Sequence, residues 1–486
     1  MRERPSIVSG DSERLDIRGG HLTIGGFWLF LALALSLIAF KSLVVDRVPT
    51  PFRRPKLSAD GALPGVEHQL RRSYADGLEL IGYDQGVSEM PVDDALRLDL
   101  YWTARRSPSR RYQTVIHLVG PSGFRWSKPD SFRPRDYQGA PPTYTWNPGR
   151  YALDSHEIEP LPGAPPGRYR VVLTVFDRET LAPLSVLNEQ GQPAAPELGL
   201  GQVTLTAPEN PADPSRLGIR HRLDARLGPL TLLGADVDRD QADPGDPVWM
   251  STFWRADEQP EEDLMLRLEL LGPRDSSVTS YTRSPVAAWH PTSVWRPGGV
   301  WRGRHRLYLP ADLSTAVYTW TLSLSPSSDP PIPLSQLSVT APERIYEEPS
   351  VDIETAVPLG DIATLLGANV VPADLVVRPG RALTATLFWR AESETTMSYH
   401  VFLHLVDAEG KLVAQSDGIP AGWNRPTTGW VAGEVIPDPR TLNIPAGVPA
   451  GGYALVAGLY DPDGERLRNA EGGNAVSIAS VTVKKP

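Results

Sequence analysis

The residues in this chain best suited to gripping another molecule are tryptophans set at a near-constant distance from a Pro-Thr pair. Pro142-Thr143 is followed by Trp146, Pro291-Thr292 by Trp295, and Pro426-Thr427 by Trp430. Trp289 and Trp423 stand just upstream of the second and third pairs, and Trp301 is an addition in the second. An indole at the rim of a β-fold can stack on a sugar ring, because it combines a flat apolar face with a polar edge. It can equally close the end of a core or pack one domain on the next. Trp289, Trp295, Trp423 and Trp430 are therefore the glycan-stacking candidates, with core packing as the competing reading.

Other constellations carry less. His400 and His404 have the spacing of a helical zinc pair, yet on a strand they lie about 13 Å apart at ~3.3 Å per residue, too far to share an ion. His404 aligns with His117 and reads as a solvent-facing or edge-strand residue. Asp461, Asp463 and Glu465 lack the loop length and terminal bidentate Glu of a calcium site, and read as a turn. Glu434, Asp438 and Asp417 could supply a glycosidase pair only if a cleft brought two of them together. The sequence has no nucleophile elbow, phosphate-cradling loop or dinucleotide fingerprint. The expectation is a non-enzymatic chain with no catalytic, cofactor or metal site.

These residues recur in a repeated frame. Leu80-Ile81-Gly82, Tyr101-Trp102, His117-Leu118-Val119, Trp146 and Tyr169 form one series. Leu232-Leu233-Gly234, Phe253-Trp254, Trp295 and Tyr318 form a second, and Leu365-Leu366-Gly367, Phe388-Trp389, His404-Leu405-Val406, Trp430 and Tyr453 a third. Between the landmarks the apolar period is two, as in Leu96, Leu98, Leu100 and Trp102, so each such strand buries one face. The pattern predicts an all-β fold: three tandem antiparallel β-sandwich modules of immunoglobulin-like type, at 66–207, 217–341 and 351–486. Trp102, Trp254 and Trp389 are expected to plug the cores. Asp407 to Gly410 and Asp461 to Gly464 read as hairpin turns with Gly at positive φ.

Composition agrees. Pro 49 and Gly 42 are high, but 41% hydrophobic residues and 13 Trp separate the chain from disordered sequence. A net charge of −10 without a basic block disfavours nucleic acid as a partner. The absence of cysteine excludes disulfides and thiolate chemistry.

Ahead of the repeats lie a polar N-terminal tail (1–23), an apolar stretch (24–45) and a Pro-rich stalk (46–65) with Pro49, Pro51, Pro55 and Pro64. The apolar stretch is long enough to cross roughly 30 Å of hydrocarbon, with Trp28 and Lys41 near its two ends. It predicts one N-terminal transmembrane helix, with the lipid bilayer as partner through residues 24–45. Lys and Arg are balanced across it, so charge does not vote on orientation. The modules are placed outside the cytoplasm by association with exported β-repeat proteins.

Phe402 to Gly410 (Phe-Leu-His-Leu-Val-Asp-Ala-Glu-Gly), Pro426-Thr427, Trp430, Gly433-Glu434 and Gly458-Leu459-Tyr460-Asp461 resemble the soluble β-rich tails of some bacterial family 39-like membrane glycosyltransferases, which are similar to dolichyl-phosphate-mannose transferases. The resemblance covers the third module well and the first two loosely. The chain departs from that family in having one expected span where the catalytic domain has many. The resemblance therefore implies shared modules and an extracytoplasmic address, without catalysis. Together these readings give a single-pass cell-membrane protein of the bacterial envelope. Its modules would serve binding, adhesion or envelope assembly, with polysaccharide or another envelope protein as partner. The alternative is an accessory, non-catalytic component of an envelope glycosyltransferase system.

Overall fold

In the computed structural model, residues 14–17, 20–40, 57–128, 142–146, 148–327 and 329–484 are described. Strands dominate, and after helix α1 (Ile24–Phe40) the helical elements are single turns. Within the expected tail, Arg14–Ile17 pairs antiparallel with Gly20–Thr23. No helix among the described residues is long and apolar enough to cross a membrane, α1 being 17 residues. The last part of the expected span, 41–45, lies outside the described residues, as do residues 46–56 of the stalk.

The remaining strands form three groups. Unit 1 holds β1 (His68–Ser73), β2 (Leu78–Gln85), β3 (Glu89–Pro91), β4 (Leu96–Ala104), β5 (Tyr112–Val119), β6 (Tyr151–Ile158), β7 (Gly167–Asp177) and β8 (Glu197–Thr206). Its sheets run β1-β2-β4-β6 and β3-β8-β7-β5. Unit 2 holds β9 (Arg222–Leu227), β10 (Leu230–Val237), β11 (Gln241–Ala242), β12 (Pro247–Ala256), β13 (Met265–Leu271), β14 (Ser277–Arg283), β15 (Val300–Tyr308), β16 (Ala316–Ser325) and β17 (Ile332–Val339). Its sheets run β9-β10-β12-β15 and β11-β17-β16-β13-β14. Unit 3 holds β18 (Ile353–Leu359), β19 (Ala363–Val371), β20 (Val376–Val377), β21 (Ala382–Ala391), β22 (His400–Val406), β23 (Leu412–Gly418), β24 (Val435–Asn443), β25 (Gly451–Tyr460) and β26 (Val476–Val483). Its sheets run β18-β19-β21-β24 and β20-β26-β25-β22-β23. Units 2 and 3 share one topology, and unit 1 differs by lacking, among the described residues, the edge strand equivalent to β14 and β23 and by carrying a separate two-stranded pair, Val186–Leu187 with Pro193–Ala195. Within each unit one hydrophobic cluster draws on both sheets.

The repeated residues explain why. Trp102, Trp254 and Trp389 are fully buried, and each pairs across the sheet with the first leucine of the Leu-x-Gly landmark: Leu80, Leu232 and Leu365. At that point the register slips by one residue in all three units. Such a bulge turns the middle residue to the outer face. There Ile81 and Leu233 meet the lead-in to their own unit, Leu63 and Val66 in one case and Leu217 and Ile219 in the other. The lead-in runs so close that a Cβ on Gly82 would sit 2.9 Å from the His68 carbonyl, and one on Gly234 or Gly367 closer still to that of His221 or Ile353. Glycine is required there by proximity. The C-terminal part of the expected stalk is therefore not free, because Leu63 is buried against unit 1.

A second repeated device closes each unit. The Tyr169, Tyr318 and Tyr453 hydroxyls each donate to the carbonyl four residues upstream, at 2.6, 3.0 and 2.9 Å. The Pro-Thr turn is a third. The hydroxyls of Thr143, Thr292 and Thr427 accept from the backbone N–H of Tyr112, Leu264 and Tyr399 at 2.9, 2.7 and 2.9 Å. They donate in turn to the carbonyls of Arg110, Glu262 and Met397. A buried threonine thus ties each turn to the strand lead-in beside it, and aims the following tryptophan inward.

Candidate functional site

The four candidate tryptophans separate cleanly. Trp295 and Trp430 are 0% and 1% exposed, with their indole N–H groups donating to the carbonyls of His290 (3.2 Å) and Arg425 (3.0 Å). Their faces are spent on the cores of units 2 and 3, so the stacking assignment is corrected for both: the threonine anchor turns them away from solvent. Trp289 is half-buried where unit 2 meets unit 1, its indole lying against Gly120 and Gly167. Trp423 is 63% exposed. Of the four, it alone presents an open face.

Trp423 is held out by a costly turn. Ala421, Gly422 and Trp423 follow one another at φ of 52°, 64° and 75°, in the left-handed region that side chains avoid. Strain of this kind runs to about 1–3 kcal/mol per residue and persists only where the surroundings impose it. Here a buried ion pair does so. Arg440 donates through Nε to both oxygens of Asp438 at 3.0 and 2.9 Å, and through Nη2 to the carbonyls of Gly418 (3.0 Å) and Ile419 (3.1 Å). The Asp438 carboxylate also accepts the Ala421 N–H at 2.8 Å. Burial pushes the Asp438 pKa up against the pull of Arg440. Gly418, at φ 146°, lets the indole lie directly on the backbone, since a Cβ there would meet its Cζ2 at 2.8 Å.

The ring continues into a strip on the five-stranded sheet of unit 3. His400 lies edge-on to Trp423 with centroids 5.8 Å apart, and Tyr460 lies edge-on to His400 at 5.3 Å. His400 Nδ1 is 3.3 Å from the Tyr460 hydroxyl. Burial and the nearby Arg440 lower the His400 pKa, keeping the ring neutral near pH 7. Phe402, 6.4 Å from Tyr460, is fully buried beneath them, with the Arg466 guanidinium 4.1 Å over its face, so the accessible strip is the exposed Trp423 with the half-buried His400 and Tyr460. Such a strip offers flat apolar area with polar groups at its margin, the chemistry that holds a sugar ring.

The remaining candidates are structural in this fold. His400 and His404 share β22, and no metal-holding cluster exists among the described residues. His404 is buried on a strand flanked on both sides, not exposed or at an edge, and its Nε2 is 3.0 Å from Asp417. The Asp461 carboxylate accepts the N–H groups of Asp463 and Glu465 at 3.0 and 2.9 Å, and Gly410 and Gly464 take φ of 79° and 91°, so both loops are turns. Glu434 is fully buried between Arg344 and Arg425, each at 2.5 Å.

These last contacts belong to the joints. Arg344, in the expected joint between units 2 and 3, also donates to the carbonyls of Gly429 (3.2 Å) and Ala311, while the Val435 N–H donates to Ile345 at 2.7 Å. At the first joint, Arg302 donates to the carbonyls of Pro162 (3.1 Å) and Leu217 (2.5 Å), and its backbone N–H to Gly163 (2.8 Å). Leu161-Pro162-Gly163 and Leu309-Pro310-Ala311 occupy equivalent places, so one loop of each unit receives the next. Comparison with known proteins identifies nothing further: no family model matches the chain, and no curated protein sequence matches it.

Proposed function

We propose that this chain is a membrane-anchored, extracytoplasmic rod of three immunoglobulin-like sandwich modules that contacts polysaccharide through the aromatic strip of its last module. The single observation that carries the binding role is Trp423, exposed on a strained turn that a buried Asp438–Arg440 pair maintains. A core-forming indole has no need of such a turn. The immunoglobulin-like reading draws support from the repeated tyrosine-to-carbonyl bond, which is that sandwich's characteristic corner.

The anchor reading draws support from α1. Trp28, Leu29, Phe30, Leu33, Leu35, Leu37, Ile38 and Phe40 are all 57–74% exposed. A helix apolar on every side calls for an apolar surrounding, and α1 at ~1.5 Å per residue already reaches about 26 Å. A bilayer supplies that surrounding if the segment continues past Phe40. The extracytoplasmic address follows from the resemblance of unit 3 to the tails of envelope glycosyltransferases.

A glycan array probed with the detergent-extracted full chain tests the binding role. Saturable binding to at least one polysaccharide is expected, and silence across neutral and acidic glycans would refute it. Protease treatment of intact cells tests the address: digestion of the three units is expected, and their protection would reverse the orientation.

A further inference from the structure

A second feature lies away from the Trp423 strip, at the junction of units 1 and 2. A cavity of about 250 Å³ opens there, bordered by Ser122 and Phe124 of unit 1 and by Arg283, Trp289, Arg304 and Arg306 of unit 2. Its lining contains three arginines and neither aspartate nor glutamate. The chain as a whole has 58 acidic against 48 basic residues, so this lining runs against its overall charge.

None of the three has a carboxylate within ion-pair distance among the described residues. Arg283 donates to the Thr282 carbonyl at 2.9 Å and lies over Tyr281, and Arg304 donates to the Arg125 carbonyl and lies over Phe124 and Trp126 at 5.6 and 5.9 Å. Arg306 rests 5.6 Å from both Trp249 and Tyr308. Carbonyls and ring faces orient these groups and leave their charge uncompensated. Like charges gathered at one partly enclosed site repel, so an arrangement that holds them there gains most when an anion enters. The guanidinium fork fits carboxylate and phosphate in the plane. Aromatic rings complete the site: Phe124, edge-on to Trp249 at 5.4 Å, and Trp289 both line it. The volume is below the roughly 300–1,000 Å³ of drug-sized pockets, which limits the occupant to one small ring.

We propose that this inter-unit cavity binds a single acidic sugar residue, a uronate or a sugar phosphate, with its charged group on the arginines and its ring between Phe124 and Trp289. The site is independent of Trp423, so failure at either place leaves the other standing. Because both units border it, occupancy also stiffens the first joint.

The test is calorimetric titration of the detergent-extracted full chain with glucuronate, glucose 1-phosphate, inorganic phosphate and glucose. The probes are repeated on the Arg283→Gln/Arg306→Gln double variant, whose two side chains are solvent-exposed and outside every core cluster. Saturable binding of glucuronate or glucose 1-phosphate is expected, at least tenfold tighter than glucose and at least tenfold weaker in the double variant, with melting temperature retained. Absence of saturable binding by either acidic sugar overturns the proposal, as does equal affinity in wild type and variant. Inorganic phosphate binding as tightly as glucose 1-phosphate overturns the assignment of a sugar. The Trp423→Ala variant is expected to bind these probes as wild type does.

Discussion

Two tryptophans seven positions apart, Trp423 and Trp430, do opposite work because of what holds them. Trp430 follows a threonine whose hydroxyl is bonded on both sides, and its ring fills the core of unit 3. Trp430→Ala is expected to cost about 3–5 kcal/mol, as large aromatic truncations in cores do, read as a large fall in the melting temperature of unit 3. A change below ~1 kcal/mol would mean that the ring is not a core residue in solution. Buried histidines make a second prediction at this scale. Burial pushes His290 down to about 4, and burial aided by the charge on Arg283 does the same for His305. The unfolded groups titrate near 6.5, so between about pH 6.5 and 4 the unfolded chain takes up protons that the folded chain refuses. Stability from these groups is complete above that window and is lost as pH falls through it, on the order of 3 kcal/mol for each at most. His305→Gln is expected to flatten the dependence of melting temperature on pH in that interval, and an unchanged slope would contradict a neutral buried His305.

Elements are where the sequence was most and least readable. The Leu-x-Gly landmark and its partner tryptophan were visible because a bulge, a close approach and a core plug each demand a particular residue type at a particular register. Gly234→Ala is expected to destabilise by about 1–3 kcal/mol or more, because the new methyl collides with the His221 carbonyl, which is backbone and cannot swing away. Denaturant unfolding checks this, and a neutral result would show that the lead-in is not packed on β10. The strip around Trp423 was not legible in the same way. Its exposure depends on φ angles and on an Asp438–Arg440 pair lying fifteen or more positions downstream, which no local pattern announces. His404 was misread for a related reason: polarity alone suggests an edge, whereas half-buried Asp417 on the neighbouring strand and Arg466 give its ring nitrogens partners inside the sheet. The end of the expected stalk holds Leu63, which is buried beside Val66 and Ile81 of unit 1, a docking that the proline spacing does not announce. The arginine cavity needed tertiary structure, because its residues come from two units.

At the scale of the molecule, what matters is how the units are joined. The Trp423 strip and helix α1 lie at opposite ends of the chain, so under the proposed function position passes between them only if the joints are stiff. Arg344 and Glu434 make the second joint a buried charged contact, and removing Arg344 takes away one of the two guanidinium partners of Glu434 while Arg425 keeps the carboxylate paired, so the loss falls on the joint and not on unit 3 itself. Arg344→Ala is expected to lengthen the distribution of interparticle distances in small-angle scattering as unit 3 detaches from unit 2; an unchanged profile would show that the backbone contact from Val435 to Ile345 holds the joint without it. The most direct measurement of the proposed function is the affinity of the full chain for a polysaccharide selected on the glycan array, taken side by side for wild type and Trp423→Ala. A loss of tenfold or more, about 1.4 kcal/mol, at unchanged melting temperature is expected. Equal affinity in the two proteins would contradict the aromatic strip as the binding face.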